Sequence, residues 1–269
     1  MLSLSLREKL FAASALAGLM AVVAVAQGLA QQKAAPPDFS GGWVGLNGGG
    51  PFFEAVPGRV PGPVTQDPAH PFVPNGVGKQ PTYRISDLTN PNLKPWVKEI
   101  MKKGNDEVLA GKVAFTWNSS CMPGGVPGFM GFGGPNPTYF LQTPKQVVII
   151  HSEQFRHVYL DVPHSANPKP SWYGESVGRY EGDTLVIDTI GFNDKTFVDN
   201  FRTPHSEKLH MVERIHLVED GKFLEADVTI EDPAVFIKPL QVTKRSRRVE
   251  ASIIEWLHQI IEGPGFKGA

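Results

Sequence analysis

The sequence has a single cysteine, Cys121, among its 269 residues, so no disulfide bond can form within the chain. A fold without disulfides depends on its apolar core. A chain of about 240 residues after removal of a leader is long enough to bury such a core in one domain. Cys121 could act as a nucleophile, but a lone cysteine more often serves as a small buried apolar residue.

The chain also lacks an excess of charge of either sign, with 26 Lys and Arg residues against 27 Asp and Glu residues. Binding to the phosphates of nucleic acid needs a concentrated positive surface. The basic cluster at residues 244–248 is short and is more typical of a solvated strand or turn. We therefore predict no nucleic-acid partner.

A long apolar run lies at the N terminus, from Leu10 to Ala26, after the net positive segment Arg7-Glu8-Lys9. The run is at the short limit for a transmembrane helix, and no basic stop-transfer cluster follows it. Ala24-Val25-Ala26 has the small-x-small pattern that signal peptidase accepts. We predict a signal peptide over residues 1–26, a disordered leader over 27–37, and a periplasmic or secreted protein with no stable membrane insertion after cleavage.

Glycine and proline are abundant, with 28 and 24 residues. They punctuate residues 27–92, where they favour turns and extended chain around one short strand signal at Trp43. A second glycine-rich segment, residues 121–135, is too irregular for a phosphate-binding loop and is not followed by Gly-Lys-Ser/Thr. Its apolar residues, Phe129 among them, could line or cover a pocket.

Residues 92–109 carry apolar side chains at spacings of three and four, with lysines between them. This pattern predicts an amphipathic helix. Packing of the apolar stripe against a sheet is a commoner reason for such a pattern than binding to a membrane surface. The run 253–261 could form a helix or a strand, and we favour the helix.

Short runs rich in β-branched and aromatic residues follow the glycine-rich segment, and turn signals at residues 181–183 and 219–222 separate several of them. The predicted strands cover residues 138–142, 146–152, 156–161, 184–190, 209–218 and 223–230. Successive strands joined by hairpins predict a mainly β fold with an antiparallel sheet rolled into a barrel. One amphipathic helix and long Gly/Pro-rich loops complete this single domain, residues 38–269.

Gly41-Gly42-Trp43, which opens the first strand after an exposed leader, resembles the Gly-x-Trp signature of lipocalins and related calycins. The resemblance implies an up-and-down barrel that holds a small, often apolar ligand. It also implies that the tryptophan packs beneath a basic residue of the last strand. Arg245, Arg247 or Arg248 could supply that residue.

A second resemblance rests on the block from Ser171 to Thr196, which reads S-W-Y-G, then V-G-R-x-E-G-D-T-L-V-x-D-T-x-G-F-N-D-K-T. Pro204-His205-Ser206, Glu213-Arg214 and Glu231-Asp232-Pro233 extend it. The block is similar to a family of uncharacterised secreted bacterial β-proteins. That resemblance implies secretion and a shared β architecture, and it implies no activity.

Signatures of named reactions are scarce. Gly174-Glu175-Ser176-Val177-Gly178 matches the nucleophile-elbow pattern of α/β-hydrolases, but that pattern requires a strand before it and a helix after it. The sequence after Gly178 predicts a turn and a strand, so we interpret the match as chance. The zinc signature His-Glu-x-x-His is absent from the sequence.

The predicted strand 209–217 places Glu213 on one face, with Leu209, Met211 and Ile215, and places His210 and Arg214 on the other. Glu213 could be a desolvated carboxylate suited to acid–base work, or it could form an ion pair with an arginine across the sheet. If the other face lines a cavity, His210 becomes the candidate base and Arg214 an anion clamp.

These patterns lead to one hypothesis, in which scattered imidazoles and acids surround a single hollow. The predicted catalytic residues are His164, His205, His210, Asp188, Glu213 and Arg214. The predicted ligand-binding residues are Trp172, Tyr173, Phe192, Asn193 and Phe129. No cofactor is expected, and a metal held by His164, His205 and His210 is the weaker alternative.

The function that we expect is an exported enzyme that acts on a small, partly apolar molecule by acid–base chemistry, as a lyase, isomerase or hydrolase. A non-catalytic periplasmic carrier of a small ligand, of lipocalin-like type, is one alternative. An interaction protein of the cell envelope is the other.

Overall fold

A computed structural model of the protein describes residues 35–46, 53–59, 61–72, 84–112, 122–127, 137–152 and 154–250. The chain divides into two compact units, Met1–Pro36 and Pro37–Ala269, and all elements below belong to the second. Several predictions fall outside the described residues: those for the signal peptide, for most of the leader, for Cys121, for Phe129 and for residues 253–261.

The described part of the chain contains ten strands and one helix. In chain order they are β1 (Gly42–Gly45), β2 (Glu54–Ala55), α1 (Pro95–Leu109), β3 (Thr138–Gln142), β4 (Gln146–His151), β5 (Gln154–Leu160), β6 (Glu175–Glu181), β7 (Thr184–Ile190), β8 (His210–Val218), β9 (Phe223–Glu231) and β10 (Leu240–Val249).

Nine of these strands close into a barrel. β1 is followed around the barrel by β3 through β10 in chain order, and β10 pairs back onto β1, while the short β2 pairs with the first half of β10. The predicted mainly β, calycin-like barrel with one amphipathic helix is confirmed. One pair departs from the expected antiparallel order, because β5 and β6 run parallel. The long connection of residues 161–174 replaces a hairpin there and returns the chain in the same direction.

Side chains alternate between the inside and the outside of the barrel, as a strand period of two requires. In β5, Gln154, Arg156, Val158 and Leu160 are buried, and the residues between them are exposed. The inward apolar side chains belong to one cluster that also includes Val97 and Met101 of α1. α1, the helix of the described residues, is too short and too polar to cross a bilayer.

Trp43 is buried at the base of this cluster and donates its indole N–H to the Phe39 carbonyl at 2.9 Å. The guanidinium of Arg248, from the last strand, lies 4.6 Å from the centre of the Trp43 ring. This is the contact that the lipocalin resemblance implied for the tryptophan. Such a cation–π contact covers one face of the ring with charge while its edge stays in the core.

β6 begins at Glu175, in the block where we expected a turn and then a strand. Ser176 points into the barrel and is buried, so the Gly174–Gly178 pattern does not present an exposed serine nucleophile. Gly174 itself has a positive φ of 65°, and a Cβ atom at this position would lie 2.6 Å from the Ile190 carbonyl oxygen. Gly174 is therefore required both by its backbone conformation and by the close approach of β7.

Gly174→Ala should destabilise the fold more than Gly182→Ala. Gly182 has nearly the same φ, 64°, but a Cβ there meets nothing within 4 Å. The left-handed conformation alone costs about 1–2 kcal/mol for an L-residue, and steric overlap at Gly174 should add about 1–3 kcal/mol. Urea denaturation of the two variants measures the difference in the free energy of unfolding. Equal losses would contradict the steric explanation.

Candidate functional site

Five acids and imidazoles form a line across the outer face of β6 to β9, which we name the acid–imidazole chain. Its members, in spatial order, are Glu175, His164, Asp188, His210 and Glu231. The sheet register explains most of this order: Asp188 lies opposite Val212, two residues from His210 on the same face, and His210 lies directly opposite Glu231. His164 enters from the connection between β5 and β6.

The contacts alternate between acid and base. His164 places Nδ1 3.1 Å from Glu175 Oε1 and Nε2 3.0 Å from Asp188 Oδ1. His210 places Nε2 3.0 Å from the same Oδ1 atom, and its Nδ1 lies 3.6 Å from Glu231 Oε2. Asp188 is therefore the shared acceptor of two imidazoles. All five side chains are partly exposed, between 21% and 49% of their surface.

The connection that carries His164 is tied to the start of β6. Ser165 donates from its backbone N–H to Glu175 Oε1 and from its hydroxyl to Glu175 Oε2, both at 2.7 Å. The Ser165 hydroxyl, the Ser165 N–H and then His164 lower the pKa of Glu175 from its ordinary value. An ionised Glu175 thus holds both the loop and the imidazole ring in place.

The two imidazoles differ in what their nitrogens can do. A neutral imidazole carries one N–H, so His164 can donate to both of its carboxylates only when each of its nitrogens bears a proton. His210 makes one short contact, and its 3.6 Å separation from Glu231 is too long for a hydrogen bond. His210 can therefore donate from Nε2 to Asp188 and keep the Nδ1 lone pair for another proton.

Glu231 joins the acid–imidazole chain to a groove of about 510 Å³. The groove is lined by Lys94, Glu231, Asp232, Pro233, Phe236, Ile237, Lys238 and Pro239. Asp232 is buried and fixes the turn after β9, because it accepts hydrogen bonds from the backbone N–H of Ser206 at 2.6 Å and of Ala234 at 3.0 Å. The groove thus combines apolar side chains with two lysines and with Glu231, one end of the acid–imidazole chain.

Glu213 lies on the opposite face of β8 and is fully buried inside the barrel. Arg156 of β5 forms a two-pronged ion pair with it, with Nη1 3.0 Å from Oε1 and Nη2 in contact with Oε2. The same guanidinium donates to Ser176 and to Thr189, so its charge and its hydrogen bonds are both matched. Of the two roles considered for Glu213, the ion pair with an arginine is the one that the structure shows.

His205 and Arg214 also stand apart from the acid–imidazole chain. His205 is buried, with Nε2 2.7 Å from the Thr196 hydroxyl and Nδ1 3.2 Å from the Ser206 carbonyl, and burial lowers its pKa. Arg214 is exposed and donates to Glu181 at 2.8 Å. The prediction that these imidazoles and acids surround a single hollow is therefore wrong in part. His164, Asp188 and His210 meet, whereas the strand period sends Glu213 inward and a separate loop buries His205.

The three histidines of the alternative metal site do not come together either. His205 lies apart, and both of its nitrogens face polar atoms of its own loop. His164 and His210 point their Nε2 atoms at the same carboxylate oxygen, as N–H donors would. These contacts account for the two imidazoles without a cation between them.

Of the predicted ligand-binding aromatic residues, the structure describes Phe192, Tyr173 and Trp172, and each contacts another part of the protein. Phe192 is buried, with its ring in a T-shaped contact with the His205 ring, and Tyr173 donates its hydroxyl to Gln154 at 2.9 Å. Trp172 is half-buried beneath Lys195, whose ammonium lies 5.9 Å from the ring centre. Asn193 accepts a hydrogen bond from the Lys195 N–H. In these positions their contacts are with the protein itself.

Sequence reasoning missed Glu175, Glu231 and Arg156. A signal for Glu231 existed, because pairing β8 with β9 through the turn at 219–222 places it opposite His210. The sequence holds no such signal for Glu175, because its contact with His164 depends on how a long connection folds back. Arg156 was hidden because an arginine within a strand is usually exposed.

Comparison with known proteins assigns no function, so a functional proposal depends on the geometry of the site. No protein-family model and no curated protein matches the chain. The resemblances to the uncharacterised secreted family and to lipocalins therefore stay predictions.

Replacing Glu213 by alanine should lower the free energy of unfolding by about 3–5 kcal/mol, because it leaves the Arg156 charge buried without a partner. The matched control is Arg214→Ala, one residue along the same strand. That change removes only an exposed ion pair with Glu181, for which a loss below about 1 kcal/mol is expected. Chemical denaturation of both variants provides the comparison. A Glu213→Ala variant as stable as the control would show that the buried pair does not support the fold.

Proposed function

We propose that this protein is an exported enzyme that transfers protons on a small, partly apolar molecule, with its reaction centre at His164, Asp188 and His210. One observation carries the proposal: partly exposed acids and imidazoles are hydrogen-bonded in series from Glu175 to His210, and the next acid, Glu231, lines a groove. Export rests on the signal peptide predicted at residues 1–26 alone.

In this proposal His210 is the base. Its Nε2–H is held by Asp188, which fixes the ring and leaves the Nδ1 lone pair for a substrate proton. His164 is the acid, since its two nitrogens face the carboxylates of Glu175 and Asp188, and a ring that bears a proton on each nitrogen can donate to both. Asp188 lies between the two rings and stabilises positive charge on whichever ring holds the additional proton.

The groove indicates the kind of substrate. Phe236, Ile237 and the two prolines supply apolar surface, and Lys94 and Lys238 supply positive charge at its margin. A volume of about 510 Å³ suits a small organic molecule with one polar or anionic group. Abstraction of one proton and return of another is the chemistry of lyases and isomerases. With water as the nucleophile, the same pair would serve a hydrolase.

The interior of the barrel favours this reading over a lipocalin-like carrier. Inward side chains of the described strands pack into one apolar cluster, and the Arg156–Glu213 pair lies among them. A carrier would be expected to leave this space to its ligand. The acid–imidazole chain on the outer face has no role in such a carrier, whereas an enzyme that transfers protons requires groups of this type.

A screen of small, partly apolar esters, hydroxy acids and unsaturated acids should reveal a turnover that depends on His210 and Asp188. For a substrate found in this way, His210→Ala and Asp188→Asn should each lower kcat by about 10²–10⁴-fold, which is typical for loss of acid–base catalysis. His157→Ala, which removes an exposed histidine on the outer face of β5, should stay within about twofold of the parent protein.

Circular dichroism would confirm that all three variants are folded. Turnover that survives both His210→Ala and Asp188→Asn would overturn the assignment of the reaction centre. Tight binding of a screened molecule without conversion would favour a carrier instead.

A further inference from the structure

A second mixed cluster lies further along the outer face of β8 and β9, towards the hairpin that joins them. It consists of His216, Glu225 and Asp227, which place one ligand atom each within 4.8 Å of one another. His216 lies directly opposite Glu225 in the antiparallel pair, and Asp227 follows two residues later on the same face of β9. Three potential metal ligands are therefore held by two paired strands, where backbone hydrogen bonds fix their spacing.

The spacing differs from that of the two imidazoles around Asp188. His216 Nε2 is 3.7 Å from Glu225 Oε1, beyond hydrogen-bond range, whereas the imidazoles of His164 and His210 contact Asp188 at 3.0 Å. A bound zinc ion lies about 2.1 Å from its ligands, which places neighbouring ligand atoms roughly 3–3.5 Å apart. The gap beside His216 is thus close to the separation that a cation would impose, and small rotamer changes would close it.

Neighbouring side chains contact one oxygen of each carboxylate. Thr243 donates its hydroxyl to Asp227 Oδ1 at 3.2 Å. Arg245 Nε lies 3.8 Å from Glu225 Oε2, an ion-pair contact that is too long for a hydrogen bond. The opposite oxygens, Oδ2 and Oε1, are then the ones left for a metal. Hydrogen bonds to the outer oxygens of ligating carboxylates are a regular feature of metal sites, since they orient the ligand.

We propose that His216, Glu225 and Asp227 bind one divalent transition-metal ion, with zinc as the ion that this ligand set suits best. One imidazole nitrogen and two carboxylate oxygens form a three-ligand set that zinc accepts, with water in the remaining position. Arg245 lies beside Glu225 and opposes the cation, so we expect affinity in the micromolar range and not tighter. The site is separate from the proposed reaction centre and does not rest on the proposed function.

Isothermal titration of the untagged, chelator-treated full chain with zinc chloride at pH 7 tests the site. We expect one ion per chain and a midpoint of thermal unfolding that rises with zinc concentration, because the ion links β8 to β9 in the folded state only. His216→Ala and Asp227→Asn should each weaken the affinity at least about tenfold, as loss of a zinc ligand does. His157→Ala should leave the affinity unchanged.

The His210→Ala variant shows which of the two clusters binds the metal. Zinc binding that persists in this variant and is lost in His216→Ala supports the proposed site. Binding that is lost with His210→Ala and kept with His216→Ala would place the metal at the acid–imidazole chain and overturn the proposal. Absence of saturable binding to the parent protein would overturn it as well.

Discussion

The closed barrel imposes one constraint on which the rest of the structure depends: every second side chain of each strand must fit into a filled interior. In β8, Met211, Glu213 and Ile215 take the inner positions, and His210 and Arg214 take the outer ones. An ionisable residue that falls on an inner position needs a matched partner, because an unpaired buried charge is costly. Arg156 is that partner for Glu213, and together they occupy the space that a ligand would need.

Because the interior of the barrel is filled, the partly exposed acids and imidazoles lie on its outer face. The connection between β5 and β6 has a central part in this arrangement, since it places His164 over Asp188 of β7. Asp188 then joins a loop imidazole to a strand imidazole, His210, at equal distances. The scaffold is rigid on the strand side and tied down by Ser165 on the loop side, which are the conditions that proton transfer between fixed groups requires.

The fold was largely predictable, and the site only in part. The runs 138–142 and 184–190 coincide with β3 and β7, because β-branched residues, period-two alternation and turn residues all agree there. β6 was missed, since its glycines and polar residues resemble a loop. Within the site, Asp188 and His210 follow from strand pairing. Grouping His205 with them was wrong, because its place depends on the packing of an irregular segment rather than on any period.

The sequence by itself determined the class of fold and, for the strands that it predicted, which side chains share a face. Both follow from local periodicity and turn chemistry, which act over a few residues. Only the tertiary structure decided that β5 and β6 run parallel, that Arg156 meets Glu213, and that Glu175 holds His164. Such contacts join residues far apart in the chain, and they arise from closure of the barrel and from the path of one long connection, neither of which leaves a periodic trace in the sequence.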